Sequence, residues 1–379
     1  MNVLVTGARG FIGRNLTAHL WAREGCVATL FDVDHSQGDL RAGLETADIV
    51  YHLAGVNRPR ITEEFETGNA GLTREICGML RELGRTPLIV MSSSVQAALE
   101  NPYGVSKRHA EDALREFAAQ TGAQVCIYRL KNVFGKWCRP NYNSVTATFC
   151  HNIANDLPIQ ISDPGRELEL TYVDEVVEAF LAELPVRPRS NGNRDIPATR
   201  ITLGDLAGRI QSFHDMRANL VAPDFAVRFN QQLYATYLSY VPDETRRQQL
   251  AIKADHRGGL AEFIRSKHFG QIFISRTKPG VTRGNHYHHT KTEKFLVVEG
   301  EGLIRMRQIE KSEVVEYNVC GEAFQVIDIP PGYTHSIENI GSGDMVTLFW
   351  ASEVFDPDRP DTYFLPVLAP ATIPARVTA

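Results

Sequence analysis

The sequence predicts two fold classes on one chain of 379 residues: α/β with a doubly wound parallel sheet, then all-β with antiparallel strands. Three observations carry this. Apolar strand-like runs alternate with amphipathic helical runs up to about residue 184, the pattern of a parallel sheet covered by helices on both faces. Beyond about residue 248 the pattern changes to short alternating strands separated by turn residues. Each part also carries a distinctive stretch, glycines at 7, 10 and 13 in the first and histidines at 286 and 288 in the second.

The first strand, 3–5, runs directly into Gly7, Gly10 and Gly13. Glycines are needed where a backbone turns tightly, approaches a pyrophosphate and lets a helix pack on a strand. A helix beginning near Phe11 and Ile12 offers its free N–H groups and positive dipole end to phosphates. The second strand, VATLFD, ends at Asp32, where an acid commonly binds the adenosine ribose and favours NAD. Arg9 lies inside the glycine loop and Arg14 just beyond it, and either guanidinium could hold the 2′-phosphate of NADP. The acid and the arginines pull in opposite directions; NADPH is the expected cofactor and NAD the alternative.

The strand LIVMSSS ends in Ser92, Ser93 and Ser94, and NPYGVSKRHAE follows it. Tyr103 and Lys107 are four apart and share a helix face. An ammonium beside a phenol lowers its pKa, so tyrosine can trade a proton near neutral pH, while a serine hydroxyl holds a reacting carbonyl. Residues 185–197 read as loop, rich in Pro, Asn, Gly and Arg. Helical period returns with Leu203, Leu206, Ile210 and Phe213 on one face, and 225–240 is aromatic and helical. A break is expected at 241–245, followed by strands within 270–280, 294–307, 314–324, 325–332 and 344–352. The domains expected are 1–243 and 248–368, with a small-residue tail at 369–379.

In the all-β part, His286 and His288 are two apart and point to one face of a strand. Glu293 would open the next strand after a turn at 289–292, and His335 follows the turn at 330–332. Three imidazoles and a carboxylate suit a divalent transition ion such as Zn, with Fe, Ni and Mn as alternatives. Composition is that of an ordinary globular protein, 43% hydrophobic and 22% charged. With a net charge of −5 and interleaved signs, no basic block points to nucleic acid or an anionic membrane. Six cysteines without a CxxC pair read as reduced thiols in a cytoplasmic protein. No signal peptide is evident, and no apolar run of about 18 residues predicts a membrane span.

The N-terminal glycines with the serine, Tyr103 and Lys107 resemble the extended short-chain dehydrogenase/reductase family, whose sheet is Rossmann-like. That resemblance selects Ser94 as the catalytic serine beside Tyr103 and Lys107, with Ser93 the near alternative. It implies cofactor contacts from Gly7, Arg9, Gly10, Phe11, Ile12, Gly13, Asp32, Tyr103 and Lys107. Gly38-Asp39-Leu40 resembles the family's adenine-contacting loop, and His52-Leu53-Ala54-Gly55 its cofactor-lining segment, with Asn69 in the following helix. RLKNVFG, 129–135, resembles the strand and loop that open the sugar-nucleotide pocket, implying substrate contacts from Arg129 and Asn132; Tyr172-Val173-Asp174 resembles the segment that closes it.

Gly280, His286, His288, Glu293 and Gly300 fit the first motif of the cupin family in full. Pro330, Gly332, His335 and Asn339 fit its second motif, except that Phe324 stands where a leading glycine is usual. This resemblance implies a jelly roll. A reductase joined to a metal cupin resembles the bifunctional enzymes of capsular polysaccharide biosynthesis, as do 134–150, 230–242, 278–298 and 355–364. That implies C3 epimerisation of a UDP-2-acetamido-2,6-dideoxy-4-hexulose in the cupin and NADPH-dependent reduction of the 4-ketone in the reductase, toward UDP-N-acetyl-L-fucosamine. It also implies a homodimer, a bound zinc and a UDP-linked 4-keto-6-deoxy-N-acetylhexosamine as substrate. Two other readings stay open: a 4-ketoreductase whose cupin is a dimerisation or ligand-sensing module, and a non-enzymatic sugar-nucleotide-binding regulator.

Overall fold

The computed structural model describes residues 1–184, 191–250, 253–255, 258–260, 264, 270–353 and 358–368. It divides into two compact units: Met1–Arg139 with Leu168–Arg200, and Pro140–Glu167 with Ile201–Ala379.

The first unit is built on a six-stranded sheet whose order is Val27–Phe31, Asn2–Thr6, Ile49–His52, Leu88–Ser94, Val125–Leu130 and Gly192–Arg194. All five pairings are parallel. Strands buried on both faces must be apolar almost throughout, which is why Val3, Leu4 and Val5, and Ile89 and Val90, are all buried. One face packs Val5, Tyr51 and Val90 against Leu16 and Phe180; the other packs Leu4, Val50 and Ile89 against Leu80 and Phe117. The first strand lies between the second and third, so the crevice beyond its carboxyl end is a topological switch point. Thr6, Phe31, His52 and Ser94 finish their strands on that edge.

The second unit contains the helices Val145–Ala154, Leu203–Asn219 and Arg228–Leu238 and two five-stranded sheets. One sheet runs Arg247–Gln249, Gln325–Ile329, Glu293–Glu299, Met345–Ala351, Gln271–Thr277; the other runs Val314–Cys320, Glu301–Gln308, Tyr333–Asn339, Thr282–Tyr287, Tyr363–Phe364. Their pairings are antiparallel. Alternate residues of both sheets, among them Phe295, Ile327 and Phe349 from one and Ile304, Met306 and Ile337 from the other, form one apolar core. The helical face predicted from Leu203, Leu206, Ile210 and Phe213 is buried as expected. From the same helix Arg217 reaches Asp328, which also accepts from Lys294. Phe225 packs against Trp350, with ring centroids 5.5 Å apart.

The break expected at 241–245 is a short helical turn, Asp243–Thr245. Of the loop expected at 185–197, residues 185–190 lie outside the described residues, as do the start of the stretch 355–364 and the tail 369–379. Among the described residues no helix is long and apolar enough to cross a membrane.

Candidate active site and candidate metal centre

The glycine loop is shaped by contacts that admit no side chain. Gly7 has φ +66°, and a Cβ there would lie 2.7 Å from the Ala54 backbone. A Cβ at Gly13 would lie 2.1 Å from the Gly7 carbonyl oxygen. The helix Phe11–Trp21 therefore starts against the end of the first strand, with Gly10 as its N-cap and no side chain capping its free N–H groups. Free N–H groups at a helix start of this kind suit a pyrophosphate. Thr6 accepts from the Ala54 amide at 3.2 Å and bonds the His52 ring at 2.9 Å, fixing the segment Leu53, Ala54 and Gly55 beside it. Burial pushes the His52 pKa down to about 3, so its ring is neutral and serves as a clamp.

Asp32 accepts from the backbone amides of Arg9, at 2.7 Å, and Val33, at 2.9 Å. The Arg9 guanidinium pairs with Asp34 at 2.7 Å, both exposed. Arg14 instead lies over the Trp137 ring, 5.1 Å from its centroid. Residues 38–40, expected as a loop contacting adenine, form the first turns of the helix Gln37–Thr46 rather than a loop. Asp39 there makes a reciprocal capping box with Ser36, so its carboxylate serves the helix end.

Tyr103 and Lys107 lie on the helix Pro102–Thr121, started by Asn101 as N-cap with Pro102 in the first turn. Lys107 is buried and donates to the Ser92 carbonyl at 3.2 Å. A Cβ on Gly55 would lie 3.1 Å from its Nζ, so the segment expected to line the cofactor and the lysine meet. Burial pulls Lys107 down to about 8, against the raising effect of Glu111. The expected lowering of the Tyr103 pKa is corrected. Burial raises it, and the opposing influence is a hydrogen bond with Ser94. Ser93 donates to Glu111 at 2.6 Å and is thereby occupied. Of the three serines, Ser94 is the one that meets Tyr103.

Arg129, expected as a substrate contact, is held by an acid. Its Nε and Nη2 donate to the Glu111 carboxylate at 2.6–3.2 Å, which directs the guanidinium into a buried ion pair. Asn132 is exposed and donates to the Glu169 carbonyl at 3.3 Å. Asn69 sits in a π-helical turn, Glu66–Gly71, bonding both backbone groups of Val56 and the Ser106 hydroxyl. Asp174 pairs with the fully buried Lys136 at 2.8 Å and with His19 at 2.9 Å. Glu111 escaped the sequence reading, although it stands four residues after Lys107, the spacing that had paired Lys107 with Tyr103.

In the second unit His286, His288, Glu293 and His335 converge, their ligand atoms all within 4.8 Å of one another. A β-bulge delivers His286: Asn285 has φ +57°, the register shifts between Gly284 and His286, and His286 then faces His335 across the strands. Glu293 opens its strand after the turn, as predicted. The His286 ring centroid lies 5.0 Å from that of His288 and 4.6 Å from that of His335. Glu293 Oε2 is 3.3 Å from His288 Nε2 and 3.2 Å from His335 Nε2. These three atoms are buried and have no hydrogen bond of good geometry. Burial, with His335 and His288, pushes His286 down to about 4. Burial would raise Glu293, but the two imidazoles outweigh it and hold the carboxyl well below its usual range. Three imidazoles and a carboxylate with lone pairs directed at one point fit a divalent transition ion. The imidazole of His288 uses Nδ1 on the Asp361 carbonyl, which leaves Nε2 as the ligand atom.

A family described as the NAD dependent epimerase/dehydratase family matches residues 3–194. A Pseudomonas aeruginosa protein, UDP-2-acetamido-2,6-beta-L-arabino-hexul-4-ose reductase, is 43% identical over 364 residues, 96% of this chain and 98% of that protein. The chain belongs to this epimerase/dehydratase family. Residues 253–363 match a second family, the polysaccharide biosynthesis C-terminal domain. The crystal structure of the capsular polysaccharide assembling protein CapF from Staphylococcus aureus is similar at 44% identity and a TM-score of 0.66, covering 97% of this chain and all of that one. The UDP-glucuronic acid 4-epimerase of Bacillus cereus, at 19% identity and a TM-score of 0.51 over 56% of this chain, shares the fold.

Proposed function

We propose that this chain is a bifunctional nucleotide-sugar enzyme of polysaccharide biosynthesis, with a reductase in residues 1–243 and a cupin jelly roll in 248–368. Its substrate is a UDP-linked 2-acetamido-2,6-dideoxy-4-hexulose, epimerised at C3 and then reduced at C4 toward UDP-N-acetyl-L-fucosamine. The names of the P. aeruginosa and S. aureus relatives support the substrate class and the pathway. The working form is a homodimer.

NADPH bound along the glycine loop would supply a hydride. Ser94 holds the ketone oxygen, Tyr103 gives it a proton, and Lys107 places a cation beside both. Burial keeps the Tyr103 proton in place until it is needed. A divalent cation held by His286, His288, Glu293 and His335, Zn by donor type, would act as a Lewis acid at the same ketone. Order follows from the chemistry. A ketone at C4 acidifies the hydrogen on C3; reduction removes that acidity, so epimerisation comes first. One functional group serves both steps, which is a reason to join them on one chain.

The observation that carries the reading is the cluster of three buried, unsatisfied ligand atoms in the second unit. The test is to incubate the purified protein with UDP-4-keto-6-deoxy-N-acetylhexosamine in D2O without NADPH and follow H3 by NMR. Deuterium should enter at C3. Reduction on adding NADPH without prior wash-in would leave a ketoreductase whose cupin only dimerises or senses a ligand.

A further inference from the structure

The turn that carries His288 is bonded, residue by residue, to a distant segment of the chain. The His288 ring bonds the Asp361 carbonyl. The next three amides all reach the Asp361 carboxylate: His289 to Oδ1 at 2.9 Å, Thr290 to Oδ2 at 2.9 Å, and Lys291 to Oδ2 at 2.8 Å. The Thr290 hydroxyl is also 2.9 Å from Oδ2. Lys291 returns the grip through its ammonium, donating to the Pro360 carbonyl at 2.8 Å and lying 3.4 Å from the Thr362 hydroxyl. Asp361 has φ +39°, a conformation that non-glycine residues adopt only when the surroundings impose it.

The segment after Asp361 is fastened too. Tyr363–Phe364 pairs with His286 and Tyr287. Leu365 donates to the Asn285 carbonyl at 2.8 Å, and Val367 to the Asn285 side chain at 3.2 Å. Buried Arg307 donates to the carbonyls of Pro366, at 3.0 Å, and Val367, at 2.9 Å. The segment therefore runs as a strap along the strand that presents His286, and its most heavily bonded residue grips the turn that presents His288.

We propose that Asp361 is a positioning residue for the metal centre. Its carbonyl selects the His288 tautomer with the proton on Nδ1, and its carboxylate sets the backbone of the turn so that Nε2 faces Glu293 and His335. Glu353, within 2.9 Å of Thr290 Oγ1, closes the far side of this network. The proposal rests on the metal reading above and adds a requirement: the strap and the metal ligands form a single cooperative element. Partners that hold the second nitrogen of a ligating histidine typically govern metal affinity by roughly 10–100-fold.

The test uses the full chain, stripped of metal, with cobalt(II) as the probe. Affinity is measured by competition with a chelator and ligand geometry by the visible absorption bands. Asp361→Asn should weaken cobalt binding roughly 10–100-fold and shift the bands, while the melting temperature of the metal-free protein stays close to that of the unmodified chain. Asp361→Gly removes the carboxylate but suits the positive φ, and should show the same loss if Asn disturbs folding. On the unmodified protein, loading with cobalt should slow hydrogen exchange at the amides of His289, Thr290 and Lys291. Unchanged affinity and spectrum in both variants, or a lowered metal-free melting temperature with unchanged affinity, would overturn the role of Asp361 alone. No cobalt binding by the unmodified chain would overturn the metal centre itself and this inference with it.

Discussion

Ser93 donates its hydroxyl proton to Glu111 across 2.6 Å, while Ser94, the next residue, faces the phenol of Tyr103 and acts to lower its pKa. Adjacent residues of a strand point to opposite faces, so one serine serves the ion pair behind the sheet and the other is free to face the tyrosine. Ser94→Ala should therefore lower the rate of NADPH oxidation with the keto sugar at least about 100-fold, and Tyr103→Phe by about 10²–10⁴-fold. Ser93→Ala should keep most of the rate and lose thermal stability. Stopped-flow rates and melting curves on the three variants decide it; a slower Ser93→Ala than Ser94→Ala would reverse the assignment.

Glu111 and Arg129 lead to a second expectation. The Glu111 side chain is fully buried and held by Arg129, Arg115 and Ser93. Removing one partner of a buried pair costs about 3–5 kcal/mol, and Arg115 keeps the loss toward the lower end here. Arg129→Ala should melt earlier while its KM for the sugar nucleotide stays near that of the parent. A large rise in KM with normal stability would make Arg129 a substrate ligand.

Lys107 gives a pH dependence. Its pKa lies at about 8, below the ordinary lysine value, so the ammonium is present at lower pH and is lost as pH rises through 8. Burial keeps the Tyr103 proton on through the same range. The kcat/KM of ketone reduction should fall above about pH 8, and Lys107→Met should be slow and lack that limb. A rate that stays level to pH 10 would show that the lysine charge is not used.

Arg9→Ala tests cofactor choice. The guanidinium stands beside Asp34, one turn from Asp32, and should weaken NADPH binding more than NADH binding when removed, because only NADPH carries a 2′-phosphate. Binding titrations with both cofactors read this directly. Equal losses would make Asp32, whose carboxylate already meets the Arg9 and Val33 amides, the determinant of an NAD preference.

His288→Ala separates the two proposed activities. Metal content and deuterium exchange at C3 should both be lost, with ketone reduction retained on a sugar already of the right C3 configuration. A melting curve must accompany the assay, because a metal bound only by the folded state adds to stability. Full metal occupancy in this variant would refute the ligand set.

The sheet and both site patterns were legible because they are local. Three glycines within seven residues, a tyrosine four before a lysine, and histidines two apart each specify a geometry that backbone period alone can read. What was not legible depends on residues far apart in the chain. Arg129 sits in a stretch that resembles a substrate loop, and only the fold shows Glu111 waiting beneath it. Asp39 reads as a loop residue until Ser36 is seen to cap a helix with it. Asp361, 70 to 72 residues from the amides it grips, has no sequence pattern to announce it. The Tyr103 pKa went the wrong way because burial, which a sequence does not state, exceeded the influence expected of Lys107.

The contact of Arg217 with Asp328 bears on how this chain could be divided in the laboratory. Asp328 and Lys294 are buried side by side, and Arg217, from a helix that ends almost thirty residues before position 248, supplies the second cation to that carboxylate. Phe225 shields Trp350 from the same side. A fragment beginning at 248 would carry His286, His288, Glu293 and His335 and yet expose a tryptophan and strand a half-neutralised carboxylate opposite Lys294, the residue next to Glu293. The smallest portable version of the candidate metal centre therefore begins upstream of Leu203, inside what the sequence alone assigns to the reductase.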